Sequence, residues 1–158
     1  MIEPSTRCFP VLSELTKRKE YDNFTFFNKC IGNPQDEENL FFDRPHMAAS
    51  KYKTEDNEVP QKVSVLVPED ILNWQQPPYD LLKCDIEGAE WDLLNYYNLI
   101  LENTKFAIIE WHESSQEYDQ FIKLIHALGF EVTNSSSYCY EEQENDGSKV
   151  LLIKNKRF

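Results

Sequence analysis

Residues 79–94 read YDLLKCDIEGAEWDLL, and this stretch limits the fold more than any other. The apolar run PYDLLKCDI, residues 78–86, has the length and composition of a buried β-strand. It passes through Asp85, Glu87 and Gly88 into a segment whose apolar residues recur at helical spacing. The same order then repeats. KFAIIEWHE predicts a second buried strand, and QEYDQFIKLIHALGF predicts an amphipathic helix with Phe121, Leu124, Ile125 and Leu128 in phase and Gly129 as its stop. Strand–helix alternation of this kind implies an α/β sheet with parallel central strands, and the 78–86 strand is expected among them.

The flanking segments extend this pattern. TRCFPVLSELTKRKEY predicts a helix with Phe9, Leu12 and Leu15 on one face, starting near Pro10, which fits only in a first turn. NFTFFNKCIG predicts a strand closed by Gly32, Asn33 and Pro34. NLFFDR predicts a short strand, and KVSVLVPEDIL a strand running into a turn or short helix. Residues 44–62 are polar and aperiodic, which predicts a solvated loop. AEWDLLNYYNLILEN predicts one helix with Trp91, Leu94, Tyr97 and Leu101 as its stripe. Beyond Gly129, two strands are expected around an NDG hairpin turn at 145–147.

In open α/β sheets, ligands bind outside the carboxyl ends of the strands. Acidic clusters fall at those ends: Glu3 after the opening MI, Asp85 and Glu87 at the end of the central strand, and Glu110, His112 and Glu113 at the end of the next. Each has a plainer reading. Asp85 and Glu87 can serve as helix-capping acids. Glu90 reads as electrostatic dressing of a helix start. His112 alone is a strand-end residue, but beside Glu110 and Glu113 it becomes a candidate for proton transfer. His126 lies in an amphipathic helix and His46 in the polar loop. A metal site from the carboxylates and His112 is conceivable, but no tight ligand spacing supports one, and none is assigned.

Bulk properties exclude several classes. The formal net charge of −12 and a pI near 4.6 argue against nucleic acid and against anionic membrane surfaces as partners. No apolar run approaches the roughly 20 residues of a membrane span, and the opening MIEPSTRCFP lacks the regions of a signal peptide. Cys8, Cys30, Cys84 and Cys139 show neither metal-knuckle nor CxxC spacing. They read as free thiols in a reducing compartment, which predicts a cytoplasmic protein.

The stretch LLKCDIEGAEWDLL closely resembles the FkbM family of S-adenosylmethionine-dependent methyltransferases, through Leu82, Lys83, Asp85, Glu87, Gly88, Ala89, Glu90 and Leu94. IEPS at 2–5, FFNKCIGN, IIEWHE and LIHALGFEV resemble further family segments in the same order, so the resemblance covers nearly the whole chain. It implies a single methyltransferase domain over residues 1–158. The implied fold is a class I methyltransferase (Rossmann-like) α/β sheet, truncated at its N-terminus, with a C-terminal antiparallel hairpin. It implies S-adenosylmethionine as cofactor, with Glu3 on the ribose hydroxyls, Asn28 to Ile31 (Cys30 included) along the adenine, and Asp85 at the methionine end. Asp85, Glu87 and His112 become the candidate catalytic residues for transfer to a small-molecule or glycan hydroxyl.

One departure stands out. The family opens with a first strand and a glycine-rich loop. The glycines here are at 32, 88, 129 and 147, so no GxG motif occurs in these residues. That points to a truncated product or a minimal variant with a repaired sheet. Self-association or a partner chain is one way to complete it, because unpaired central edges are costly. Three functions follow: a working methyltransferase, a catalytically inactive methyltransferase-like binding module, and a metal-dependent hydrolase built on the carboxylates.

Overall fold

In a computed structural model the chain is described over residues 1–36, 38–43, 49–50, 59–112, 115–137 and 149–158. His46, Glu113, Cys139 and the NDG turn lie outside the described residues. The chain forms two compact units, Met1–Leu66 and Val67–Phe158.

In the first unit, helix α1 spans Cys8–Leu15 with Pro10 in its first turn. Ser5 starts it: its Oγ accepts the N–H groups of Arg7 at 3.3 Å and Cys8 at 3.2 Å. The expected face holds, with Phe9, Leu12 and Leu15 half-buried and Val11 exposed. Strands β1 (Glu38–Asp43), β2 (Ala49–Ser50) and β3 (Val59–Ser64) form an antiparallel sheet in the order β2-β1-β3. β2 and the start of β3 fall where a loop was expected. Their ladders with β1 are backbone-made, and polar residues join such ladders without leaving an apolar period.

The strand predicted at 23–32 does not form. Only two isolated parallel bridges appear, Ile2 with Phe27 and Cys30 with Val65. The reason is a change of partner. Phe27 exchanges backbone hydrogen bonds with Met1 and Glu3, and three residues later Cys30 does so with Ser64 and Leu66. Neither partner runs alongside long enough to build a ladder. Cys30, Val63 and Val65 form the small core of this unit.

In the second unit, α2 (Pro68–Trp74) opens with proline at its first position. β4 (Tyr79–Cys84), α3 (Glu90–Tyr96), α4 (Asn98–Glu102), β5 (Thr104–Trp111), α5 (Ser115–Ala127), β6 (Phe130–Ser137) and β7 (Lys149–Asn155) follow. The sheet order is β4-β5-β7-β6. β4 and β5 run parallel, and β7 runs antiparallel to both β5 and β6. The parallel pair and the C-terminal antiparallel pair match the sequence reading. The central position of the 78–86 strand does not: β4 is the edge of this sheet in the order observed. Burial is confined to its two ends, where Tyr79 and Cys84 are buried on opposite faces while Leu81 is exposed.

Helix 89–103 is broken in two at Tyr97. The break keeps its backbone bonded, since Tyr97 N–H donates to Leu93 O and Tyr97 O accepts from Ile100 and Leu101. It also leaves Leu93, Leu94, Tyr97, Ile100 and Leu101 all buried. Against the inner face of the sheet, α5 buries Phe121 and Ile125 beside Ala107, Ile109, Leu151 and Ile153. Gly129, at φ 90°, ends α5 in a conformation that glycine adopts without strain.

Candidate active site

Parallel pairing places the site. Cys84 stands opposite Ile109, so the residues leaving β4 and β5 emerge at the same edge of the sheet. Asp85 and Glu87 leave β4 there, and Glu110 and His112 lie at the end of β5. The turn out of β4 is tight: Glu87 has φ 52° and Gly88 φ 95°, and Ala89 N–H closes it on Ile86 O at 3.3 Å. Gly88 adopts this conformation freely. Glu87 carries a Cβ and is strained by roughly 1–2 kcal/mol.

Glu90, the first residue of α3, is 0% exposed. Its Oε1 accepts the Gly88 N–H at 3.2 Å and lies 2.9 Å from His112 Nδ1. Because Oε1 is an acceptor, Nδ1 carries the proton and donates it to this bond. That turns Nε2 outward, toward Asp85 Oδ1 at 3.9 Å, Glu87 Oε2 at 3.9 Å and Glu110 Oε1 at 3.6 Å. Lys83 Nζ lies 3.1 Å from Asp85 Oδ2.

The electrostatics follow from this packing. Burial pushes the His112 pKa down, but the hydrogen bond to Glu90 and the charges of Glu90, Glu87 and Glu110 outweigh it, and the net direction is up. Burial, reinforced by the charges of Glu90 and Asp85, raises the Cys84 thiol well above its ordinary range. Cys84 is therefore held protonated and is no nucleophile. Beneath the site, Trp111 packs on Phe121 with ring centroids 4.4 Å apart and edge-on to Trp91 at 5.6 Å, which fixes the end of β5.

The chain matches the methyltransferase FkbM domain over residues 2–132. It belongs to the FkbM methyltransferase family. Comparison with curated proteins gave no match.

Within this FkbM domain the structure brings Asp85, Glu87 and His112 together, with Glu110 beside them. Two plainer readings are corrected. Asp85 lies five residues before α3, which begins at Glu90, and its Oδ2 pairs with Lys83 instead of capping the helix. Glu90 is not surface dressing but the buried acceptor that orients His112. A signal for this was present, because Glu90 precedes Leu93, Leu94 and Tyr97 by three, four and seven residues and so shares the buried stripe.

Glu3, Asn28 and Cys30 lie in the first unit. Glu3 is half-buried, and its Oε1 accepts the Ser5 N–H at 2.8 Å. Asn28 Nδ2 donates to the carbonyls of Glu3 at 2.9 Å and Pro4 at 3.2 Å, so it holds the Glu3 loop in place. Cys30 is 1% exposed, and its thiol points at the backbone carbonyls of Val63 and Ser64. Both residues therefore act as internal supports. Among the described residues, Cys8, Cys30 and Cys84 are free thiols, and no helix is long and apolar enough to cross a membrane.

Proposed function

We propose that this FkbM domain is an S-adenosylmethionine-dependent methyltransferase that acts on the oxygen of a small-molecule or glycan hydroxyl. The observation that carries this reading is the Glu90–His112 pair, which presents one imidazole nitrogen to three carboxylates at the end of two parallel strands. The strand order β4-β5-β7-β6, with β7 reversed, supports a class I methyltransferase sheet.

Bound S-adenosylmethionine supplies a methyl group already activated on a sulfonium. What remains for the protein is to hold the reactants in line and to remove one proton from the acceptor hydroxyl. Asp85 and Glu87 face the methionine end and the acceptor. The hydroxyl proton passes into the cluster they form with His112, whose ring Glu90 holds in register. Glu3 takes the ribose hydroxyls. A carboxylate offers about four acceptor positions, which is the chemistry a pair of neighbouring ribose hydroxyls calls for. Asn28 keeps that loop in place through the carbonyls of Glu3 and Pro4.

A second reading is a methyltransferase-like module that binds without catalysis. Calorimetric titration with S-adenosylhomocysteine separates the two. Micromolar binding that drops at least tenfold in Glu3→Ala, with unchanged circular dichroism, is the expected result. Unchanged affinity in Glu3→Ala removes the ribose role, and no binding by the folded chain leaves the second reading.

A further inference from the structure

We infer that Asp85, Glu87 and His112 form a divalent-cation site. Each offers one donor atom, and the three atoms lie within 4.8 Å of one another. Nε2 stands 3.9 Å from both Asp85 Oδ1 and Glu87 Oε2, too far for a hydrogen bond. Neighbouring donors on an octahedral cation with bonds of about 2.1 Å stand roughly 3 Å apart, so the two gaps to Nε2 need to close by about 1 Å and the gap between the carboxylates by at most about 2 Å. The mobile ends of half-exposed side chains make that adjustment.

The acids alone would not carry this. The second observation is Glu90, a wholly buried carboxylate set directly behind the imidazole. Its Oε1 fixes the tautomer through Nδ1–H, which leaves the Nε2 lone pair as the donor facing the acids. Its Oε2 has no hydrogen-bond partner among the described residues. A buried carboxylate that orients a histidine and strengthens it as a donor is the usual support behind a metal-binding imidazole. The charge agrees in sign, since the carboxylates of Asp85, Glu87, Glu90 and Glu110 converge on this imidazole.

Two carboxylates and one imidazole, without thiolate, suit a cation of the manganese class that keeps positions open for water or an oxygen ligand. The inference does not rest on methyl transfer. Proton and cation compete for the same lone pair, so His112 serves as a base only where no cation is held.

The test uses the chelator-stripped chain and Mn²⁺ alone, followed by electron paramagnetic resonance. Expected are one saturable site per chain and a nitrogen modulation in the echo spectrum that disappears in His112→Gln. Asp85→Asn and His112→Gln each weaken binding at least tenfold. Glu90→Gln weakens it by roughly 10- to 100-fold without touching a ligand. Glu14→Gln, on the exposed face of α1, leaves it unchanged. Absence of saturation below about 10 mM would overturn the site, being weaker than the weakest specific carboxylate sites. So would binding without nitrogen modulation, or equal losses in Glu14→Gln, either of which means surface acidity only. Should His112→Gln fail to fold, Asp85→Asn carries the affinity test and the wild-type nitrogen signal carries the ligand assignment. S-adenosylhomocysteine titration is read separately, so this inference and the methyltransferase reading fail independently.

Discussion

Glu3 and Glu90 are both glutamates at the entrance to a helix, and the two are held in opposite ways. Glu3 is half-buried and turns onto its own loop, accepting the N–H of Ser5 two residues on. Glu90 is fully buried and reaches across 22 residues of sequence to His112. A local, partly wet carboxylate can change partners at little cost, because water replaces what is lost. A buried one cannot, because the donors aimed at it have no alternative acceptor. The first arrangement suits a group that must receive a ligand, and the second suits a group that must hold another side chain still.

The sharpest way to break this comparison is to truncate both glutamates. Glu90→Ala strands the Nδ1–H of His112 and the N–H of Gly88 and leaves a cavity. Removing one partner of a buried polar pair costs about 3–5 kcal/mol. Urea denaturation should show a loss of that order. Glu3→Ala should lose clearly less, about 1 kcal/mol for each partly exposed hydrogen bond removed. Equal losses at the two positions would mean that Glu90 matters only as packing.

The turn between β4 and α3 gives the next largest effect. Gly88 sits at φ 95°, where a side chain is strained. Gly88→Ala should destabilise by roughly 1–2 kcal/mol. It should also disturb the carboxylate pair, because Asp85 and Glu87 reach the His112 face through this turn. A stability loss with no change in Mn²⁺ or S-adenosylhomocysteine binding would separate the turn's backbone role from its placement of the acids. Glu87, already at φ 52°, offers the converse. Glu87→Gly should relieve strain and keep or raise stability while removing a donor from the site.

These residues also show what the sequence made legible. The parallel β4–β5 pair and the convergence of Asp85, Glu87 and His112 follow from strand length, helical phase and the rule that sites lie at strand ends. All of that is written locally. The role of Glu90 was written too, in its phase with Leu93, Leu94 and Tyr97, but charge obscured it, because a glutamate at a helix start is ordinarily a surface group. The strand expected at 23–32 failed for a different reason. NFTFFNKCIG has strand-like composition, but a ladder needs a partner of equal length, and its partners are short and change between Phe27 and Cys30. Partner length is a property of the assembled chain, not of the segment. The edge position of β4 was hidden in the same way, since an apolar run reports burial without saying how many neighbours supply it.

The smallest effects concern the acids that face solvent. Asp85 makes an ion pair with Lys83 at 3.1 Å, with side chains 36% and 65% exposed. Exposed pairs of this kind contribute about 0–1 kcal/mol, and Asp85 caps no helix. Asp85→Asn and Lys83→Met should therefore unfold at nearly the same urea concentration as the parent chain, within about 0.5 kcal/mol. They should differ at the site. Asp85→Asn removes a carboxylate from the cluster and should weaken Mn²⁺ binding and abolish any methyl transfer. Lys83→Met leaves that carboxylate without its neighbouring cation and should strengthen Mn²⁺ binding severalfold, because a competing positive charge is gone. A stability loss in Asp85→Asn approaching that of Glu90→Ala would contradict the geometry. It would place Asp85 with the groups that hold the turn together, and the division between solvent-facing and supporting acids would no longer stand.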